Sequence, residues 1–290
     1  MAIELLGRPV AQFVLDDLKI TLSDIKQKTG LVPGLAVVLV GENPASQAYV
    51  GMKKKACHEI GIASFEHLLP ANTSEETLSN LLIQLNEDPK VHGILLQLPL
   101  PKGMEEAKLL ELIAPEKDVD GFHPINIGNV LIGQPALKPC TPYGVCELLK
   151  YYKIPTEGKH VVIVGRSNIV GKPVAAMLIQ KEFNATVTIC HSKSENLSSL
   201  TQQADILIAA IGKPRFITAD MVKPHAVIID VGINRVSDDS EKGFRLVGDV
   251  DYDSVFPIVS AITPVPKGVG PMTIAMLMKN TVQAFKKGLL

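Results

Sequence analysis

The stretch HVVIVGRSNIVGKP, residues 160–173, decides the fold. Val161, Val162, Ile163 and Val164 run without polar alternation into Gly165. That pattern suits a strand covered by helices on both faces. Gly171 stands six residues after Gly165, and Pro173 is placed for the first turn of a helix. A strand, a glycine turn and a helix in this order let backbone N–H groups approach a phosphate at a helix N-terminus, where the dipole favours negative charge. The spacing is G-R-S-x-x-x-G, with Ser167 where a dinucleotide fingerprint would carry its second glycine. A plain strand-to-helix turn with no ligand meets the same description.

Outward from this stretch the same alternation recurs. Residues 186–190, 206–210 and 227–231 read as further buried strands, and 248–250 as one more short strand. The strand at 186–190 is followed by His191-Ser192-Lys193. An NAD site usually carries Asp or Glu at that strand end for the ribose 2′-hydroxyl. A hydroxyl and positive charge stand there instead, and Arg166 lies in the first turn, which favours a 2′-phosphate and hence NADP. An ordinary solvated strand end fits His191 and Lys193 equally.

The first half alternates in the same way. Strands are expected at 35–40, 64–69 and 93–98, and helices at 46–60, 74–86 and 105–112. Such alternation implies βαβ units and a mostly parallel sheet. The stretch 115–142 is rich in Pro and Gly and reads as a boundary. A helix at 141–152 leads into the second half, and 270–289 reads as a last helix with Ile274, Leu277, Met278, Thr281, Val282 and Phe285 on one stripe.

Chemistry-bearing residues sit at the ends of these elements. Tyr49 and Lys53 share one helix face at i and i+4, although Lys53 opens a basic run of the kind that is usually a solvated face. Burial would lower the lysine pKa toward neutrality and make it a proton carrier. Gln97-Leu98-Pro99-Leu100-Pro101 ends a strand where ligands bind in open α/β sheets. Lys117-Asp118-Val119-Asp120-Gly121 is either an Asp-Gly turn or an acidic pair for a ring rich in N–H donors. The loop 263–273 is stiffened by Pro264, Pro266 and Pro271 and exposes backbone amides.

Composition excludes several classes. The net charge of −1 gives no nucleic-acid footprint. No apolar run approaches a membrane span, and the N-terminus does not read as a signal peptide. The four cysteines form no C-x-x-C pair, and no metal-ligand spacing appears. A cytoplasmic chain with reduced thiols and no metal is expected.

The blocks at 46–53 (S-x-x-Y-V-x-x-K), 97–101 (Q-L-P-L-P), 117–121 (K-D-V-D-G), 139–144 (P-C-T-P-x-G), 165–173 (G-R-S-x-I-V-G-x-P), 230–234 (D-V-G-I-N), 248–250 (G-D-V) and 263–273 (T-P-V-P-x-G-V-G-P-M-T) occur in order. Together they resemble the bifunctional methylenetetrahydrofolate dehydrogenase/methenyltetrahydrofolate cyclohydrolase family. The resemblance implies a folate-binding α/β catalytic domain at 1–140, joined by the helix 271–290. It implies a Rossmann-type NADP-binding domain at 141–270, with a cleft between the two. It implies catalytic roles for Lys53, Tyr49, Gln97 and Asp120, with Leu98, Pro99, Gly270 and Pro271 also lining the folate. It places NADP on Thr141, Gly165, Arg166, Ser167, Ile169, Ser192 and Ile233. The partners implied are tetrahydrofolate derivatives and a second copy of the chain. Two rivals are a shikimate-type NADP dehydrogenase on the same plan and a non-catalytic NADP-binding regulator. Activity on folate separates the first, and the presence of Lys53 and Gln97 argues against the second.

Overall fold

Short apolar runs bounded by Gly, Pro and polar turns give parallel strands in both halves of the chain. The computed structural model describes residues 2–239 and 243–289. Its elements begin with β1 (Ile3–Glu4), α1 (Gly7–Thr29), β2 (Gly34–Val40), α2 (Pro44–Ile60), β3 (Ala63–Leu69), α3 (Glu75–Glu87), β4 (Gly93–Leu96), α4 (Glu106–Glu111) and α5 (Pro124–Leu131). They continue with α6 (Cys140–Tyr151), β5 (His160–Val164), α7 (Gly171–Leu178), β6 (Thr186–Cys190), α8 (Leu197–Thr201), β7 (Ile206–Ala209) and β8 (Val227–Asp230). The last are β9 (Asn234–Ser237), β10 (Phe244–Val247), α9 (Tyr252–Val255), β11 (Ala261–Ile262) and α10 (Gly270–Lys287). The fold class is two-domain α/β, and the chain divides into two compact units.

One unit holds Gln12–Val130, Gln134–Cys140 and the residues from Ile274 on. Its sheet has the order β3-β2-β4 with both pairings parallel. Every residue of the central β2 is buried, as its unbroken apolar run requires, whereas edge strand β3 is only partly covered. α3 starts where Ser74 accepts a hydrogen bond from the Thr77 amide, with Glu75 and Glu76 favourable in the first turn. It turns Leu78, Leu82 and Leu85 onto Ala36, Val38, Ile94 and Leu96 of the sheet. Within the same unit the edge of the His92 ring meets Phe285 of α10, at 4.8 Å between ring centres.

The other unit holds the residues up to Ala11, Leu131–Gly133 and Thr141–Thr273. Its six-stranded sheet, ordered β1-β11-β8-β7-β5-β6, is parallel throughout. β6 lies on one side of β5 and β7 on the other, so the winding reverses at β5. Crevices at such reversals, beyond the carboxyl ends of the strands, are where doubly wound sheets bind ligands.

The structure departs from the sequence reading at several points. α1 was not expected, although Val14, Leu18 and Leu22 stand at helical spacing and are buried. Residues 1–140 read as one block, yet Ile3 and Glu4 pair with Ala261 and Ile262 and extend the other sheet. The expected strand at 248–250 is reduced to a bridge of Val250 with Ile217. The antiparallel pair β9–β10 before it does not stand out in the sequence because each of its strands is only four residues long.

Candidate functional site

α2 carries Tyr49 and Lys53 one turn apart, and the basic run resolves by facing. Lys54 pairs with Glu66 at 2.8 Å and Lys55 with Glu59 at 3.8 Å, both on the surface. Lys53 turns inward and is 7 % exposed. Its ammonium donates to Oε1 of Gln97 at 2.8 Å. Gln97 sits just past β4, and its own Nε2 donates to the Leu98 carbonyl at 2.7 Å. That second bond fixes the amide so that its oxygen faces Lys53. Leu98 and Pro99 follow directly, joined by a cis peptide.

The acidic pair of residues 118 and 120 splits into two tasks. Asp118 is buried and accepts from the amides of Gly121 (3.1 Å) and His123 (2.8 Å) and from Nδ2 of Asn126 (2.9 Å). It is committed to the turn. Asp120 stands in the electrostatic field of Lys53 instead. Burial raises its carboxyl pKa to about 6; Lys53 opposes the rise and Asp118 adds to it. Burial likewise lowers the Lys53 pKa, with Asp120 and Cys140 opposing. Gly121, at φ 76°, leaves no room for a Cβ, which would lie 2.5 Å from the Lys138 carbonyl carbon. The close approach seats Cys140 beside Asp120, and burial pushes that thiol well above its usual range. The cysteine belongs to the P-C-T-P block, and packing sets its place beside Asp120. Tyr49 is 39 % exposed on the same helix as Lys53.

The chemical content of this cluster is a lysine easy to deprotonate beside a carboxyl hard to deprotonate. Burial brings the two pKa values toward each other, because it disfavours the charged form of each, while their mutual attraction opposes both shifts. Such pairs in clefts mark acid–base chemistry.

In the other unit the turn after β5 is built from contacts that only glycine permits. Gly165 has φ 139°, and a Cβ there would lie 2.2 Å from the Ala210 carbonyl oxygen. A Cβ on Gly171 would lie 2.1 Å from the Gly165 carbonyl oxygen. Ser167 Oγ accepts from the Val170 amide at 3.1 Å and shapes the turn that the missing glycine would otherwise make. α7 begins at Gly171 with no acidic residue in its first turn, which leaves its positive end to an anion. Val164 pairs with Cys190 across β5 and β6, and Arg166 and Ser192 each stand two residues beyond that pair. Both are exposed, as is Ile169. Thr141 and Thr273 join hydroxyls at 3.0 Å. Ile233 is exposed and approaches Gly270, next to Pro271. The glycine turn and the N-terminus of α7, free of acidic residues, have the character of a phosphate-binding turn. Among the described residues no cluster of three or more His, Cys, Asp or Glu could hold a metal ion.

Comparison with known proteins agrees with both halves. Residues 5–120 match the model of the tetrahydrofolate dehydrogenase/cyclohydrolase catalytic domain, and residues 139–289 match that family's NAD(P)-binding domain. A bifunctional protein FolD of Chlorobium phaeobacteroides is 56% identical over 97% of each chain. A crystal structure of the bifunctional methylenetetrahydrofolate dehydrogenase/cyclohydrolase from Campylobacter jejuni is 48% identical with a TM-score of 0.94, covering 99% of this chain and 100% of that one. The Trypanosoma brucei dehydrogenase-cyclohydrolase, solved with NADP and an inhibitor, is 37% identical with a TM-score of 0.94, covering 99% and 98%.

Proposed function

Since this chain belongs to the tetrahydrofolate dehydrogenase/cyclohydrolase family, we propose that it oxidises 5,10-methylenetetrahydrofolate to the methenyl form with NADP and then hydrolyses that product to 10-formyltetrahydrofolate. The observation that carries the hydrolytic half is the buried Lys53–Gln97 bond beside Asp120.

NADP, when bound, supplies the hydride acceptor. The protein's part in that step is to hold and orient two rings, because the electron push comes from the folate nitrogens. Gly165 lets backbone amides approach the phosphates, and Arg166 and Ser192 take the 2′-phosphate. Ser167, Ile169, Thr141 and Ile233 line the rest of the cofactor path. Tyr49 stacks on the folate, Leu98 and Pro99 line it, and Asp120 anchors the N–H donors of its pterin ring.

Hydrolysis is where side chains handle protons. Water adds its oxygen to the methenyl carbon, and one water proton passes to the neutral amine of Lys53. Gln97 keeps that amine aimed, because its oxygen is held toward it. The hydroxyl of the resulting adduct then gives up its proton to N5 as the C–N5 bond breaks, leaving the formyl group on N10, and the Lys53 ammonium returns its proton to solvent.

The assay that tests the whole reading supplies methylenetetrahydrofolate and NADP and follows methenyl absorbance as it rises and decays. No methenyl signal would refute it. The cofactor assignment has its own test. Hydrogen bonds to charged groups contribute about 1.5–3 kcal/mol, so Arg166→Ala should weaken NADP binding by ~10–100-fold while NAD binding changes little. Equal losses for both cofactors would remove Arg166 from the 2′-phosphate site.

No described helix is long and apolar enough to cross a membrane. A cytoplasmic homodimer is proposed on the strength of the family resemblance; sedimentation of the purified chain as a monomer at micromolar concentration would overturn the dimer.

A further inference from the structure

The D-V-G-I-N and G-D-V blocks contribute two buried aspartates that the mechanism above does not use. Asp249 is fully buried, and Asp230 nearly so. Asp249 Oδ2 accepts from the amides of Ile211 (2.6 Å) and Gly212 (2.9 Å). Its Oδ1 accepts from the Lys213 amide (2.9 Å) and from Nδ2 of Asn234 (2.9 Å). One carboxylate thus organises three successive amides just beyond β7. Asp230 in turn accepts from the amides of Asp249 (2.9 Å) and Val250 (2.9 Å), which fixes the backbone that carries Asp249. The glycines in the two blocks have a steric reason. A Cβ on Gly232 would lie 2.2 Å from Asp249 Oδ1, and one on Gly248 would lie 1.8 Å from Asp230 Oδ2.

The place of this network gives it a function. The turn 211–213 follows β7, and β7 lies beside β5 where the winding reverses. Ala210, which leads into the turn, is the residue that a Cβ on Gly165 would strike. The turn therefore walls the crevice opposite Gly165. Asn234 links the same carboxylate to the segment that carries Ile233.

We propose that Asp249 is a positioning residue for the cofactor crevice, holding the turn 211–213 and the Ile233 segment at the spacing that NADP requires. The proposal rests on the reading of this crevice as the NADP site and extends it to a residue that does not touch the cofactor. An isolated buried carboxylate would be costly, but four donors satisfy this one, and preorganised backbone amides keep a ligand from having to order the turn itself.

The test is Asp249→Asn, which keeps shape and removes one acceptor oxygen that serves two donors. Two activities are measured on one sample: NADP reduction with methylenetetrahydrofolate, and hydrolysis of preformed methenyltetrahydrofolate without NADP. The residues proposed for hydrolysis lie in the other unit. kcat/KM for NADP should fall about 10²-fold, as expected when buried donors lose their acceptor, and the NADP-induced rise in Tm should shrink. Hydrolysis should stay within about twofold of the parent by the same argument. Parent-like NADP values, or an equal fall in both activities, would overturn the proposal. If Asp249→Asn does not fold, Asn234→Ala removes one donor only and should lower kcat/KM for NADP about tenfold with hydrolysis intact; an unchanged NADP reaction would then overturn it. A parent protein that fails to reduce NADP would sink the cofactor reading itself, which an active parent with an unaffected Asp249→Asn would not.

Discussion

Lys53→Gln is expected to make methenyltetrahydrofolate accumulate. Its formation needs the two rings aligned and no proton transfer to the protein at the reacting carbon, so it continues. Its hydrolysis needs a proton acceptor, and losing a positioned one typically lowers the rate about 10²–10⁴-fold. Gln has similar length and keeps polar contact with Gln97, so folate positioning should survive, and circular dichroism checks the fold. The parent's own pH profile gives a second readout. Burial lowers the Lys53 pKa, so the neutral amine becomes available at lower pH than for a lysine in water. Hydrolysis should rise with pH through that depressed pKa, and the rise should vanish in Lys53→Gln. Lys54→Gln is the control, since Lys54 is on the surface and paired with Glu66; both of its rates should be near the parent's. Hydrolysis at the parent rate in Lys53→Gln would return Lys53 to the status of a surface-type lysine that happens to be buried.

Asp120→Asn should separate binding from stability. The carboxylate that matches adjacent N–H donors of the pterin is gone, and leaving buried donors unpaired costs about 1–3 kcal/mol each. Folate affinity should therefore fall by about two orders of magnitude, and both activities with it. The same change should stabilise the fold. Burial raises the Asp120 pKa from 3.8 to about 6, so between those values the native state binds more protons than the unfolded one. By linkage, stability falls as pH rises through this window, and the full penalty is present above it. Asn carries no such penalty. The Tm of Asp120→Asn should exceed the parent's at pH 7.5 and approach it at pH 4. Losing Asp120 also removes a group that raises the Lys53 pKa, so any residual hydrolysis should have its pH profile moved to lower pH. Normal folate binding by Asp120→Asn would make the residue a turn former only, the task that Asp118 visibly performs.

Much of the plan was legible along the chain because its causes are local. An apolar run without alternation, such as residues 161–164, has to be covered on both faces wherever it lies. Glycine at 171 answers crowding by the backbone of Gly165 in the same turn. Ser74 caps α3 through a bond to Thr77. The family blocks then joined these local facts into one identity.

What the chain could not disclose depends on which residues meet across long separations. Lys53, Lys54 and Lys55 are the same chemical group three times over; only packing and the amide of Gln97 decide that the first is buried and perturbed. Asp118 and Asp120 are equivalent in sequence, but one faces the amides of its own turn and the other faces Lys53. Asp249 looks like a turn residue until the amides of Ile211, Gly212 and Lys213 close around it. Ile3 and Glu4 belong to a sheet whose partner strand lies near the other end of the chain. The sequence by itself determined the buried strands of both halves, the glycine turn at 165–171 and the family. Tertiary structure decided which charge is buried and what it faces, because a pKa and a hydrogen bond are set by neighbours in space.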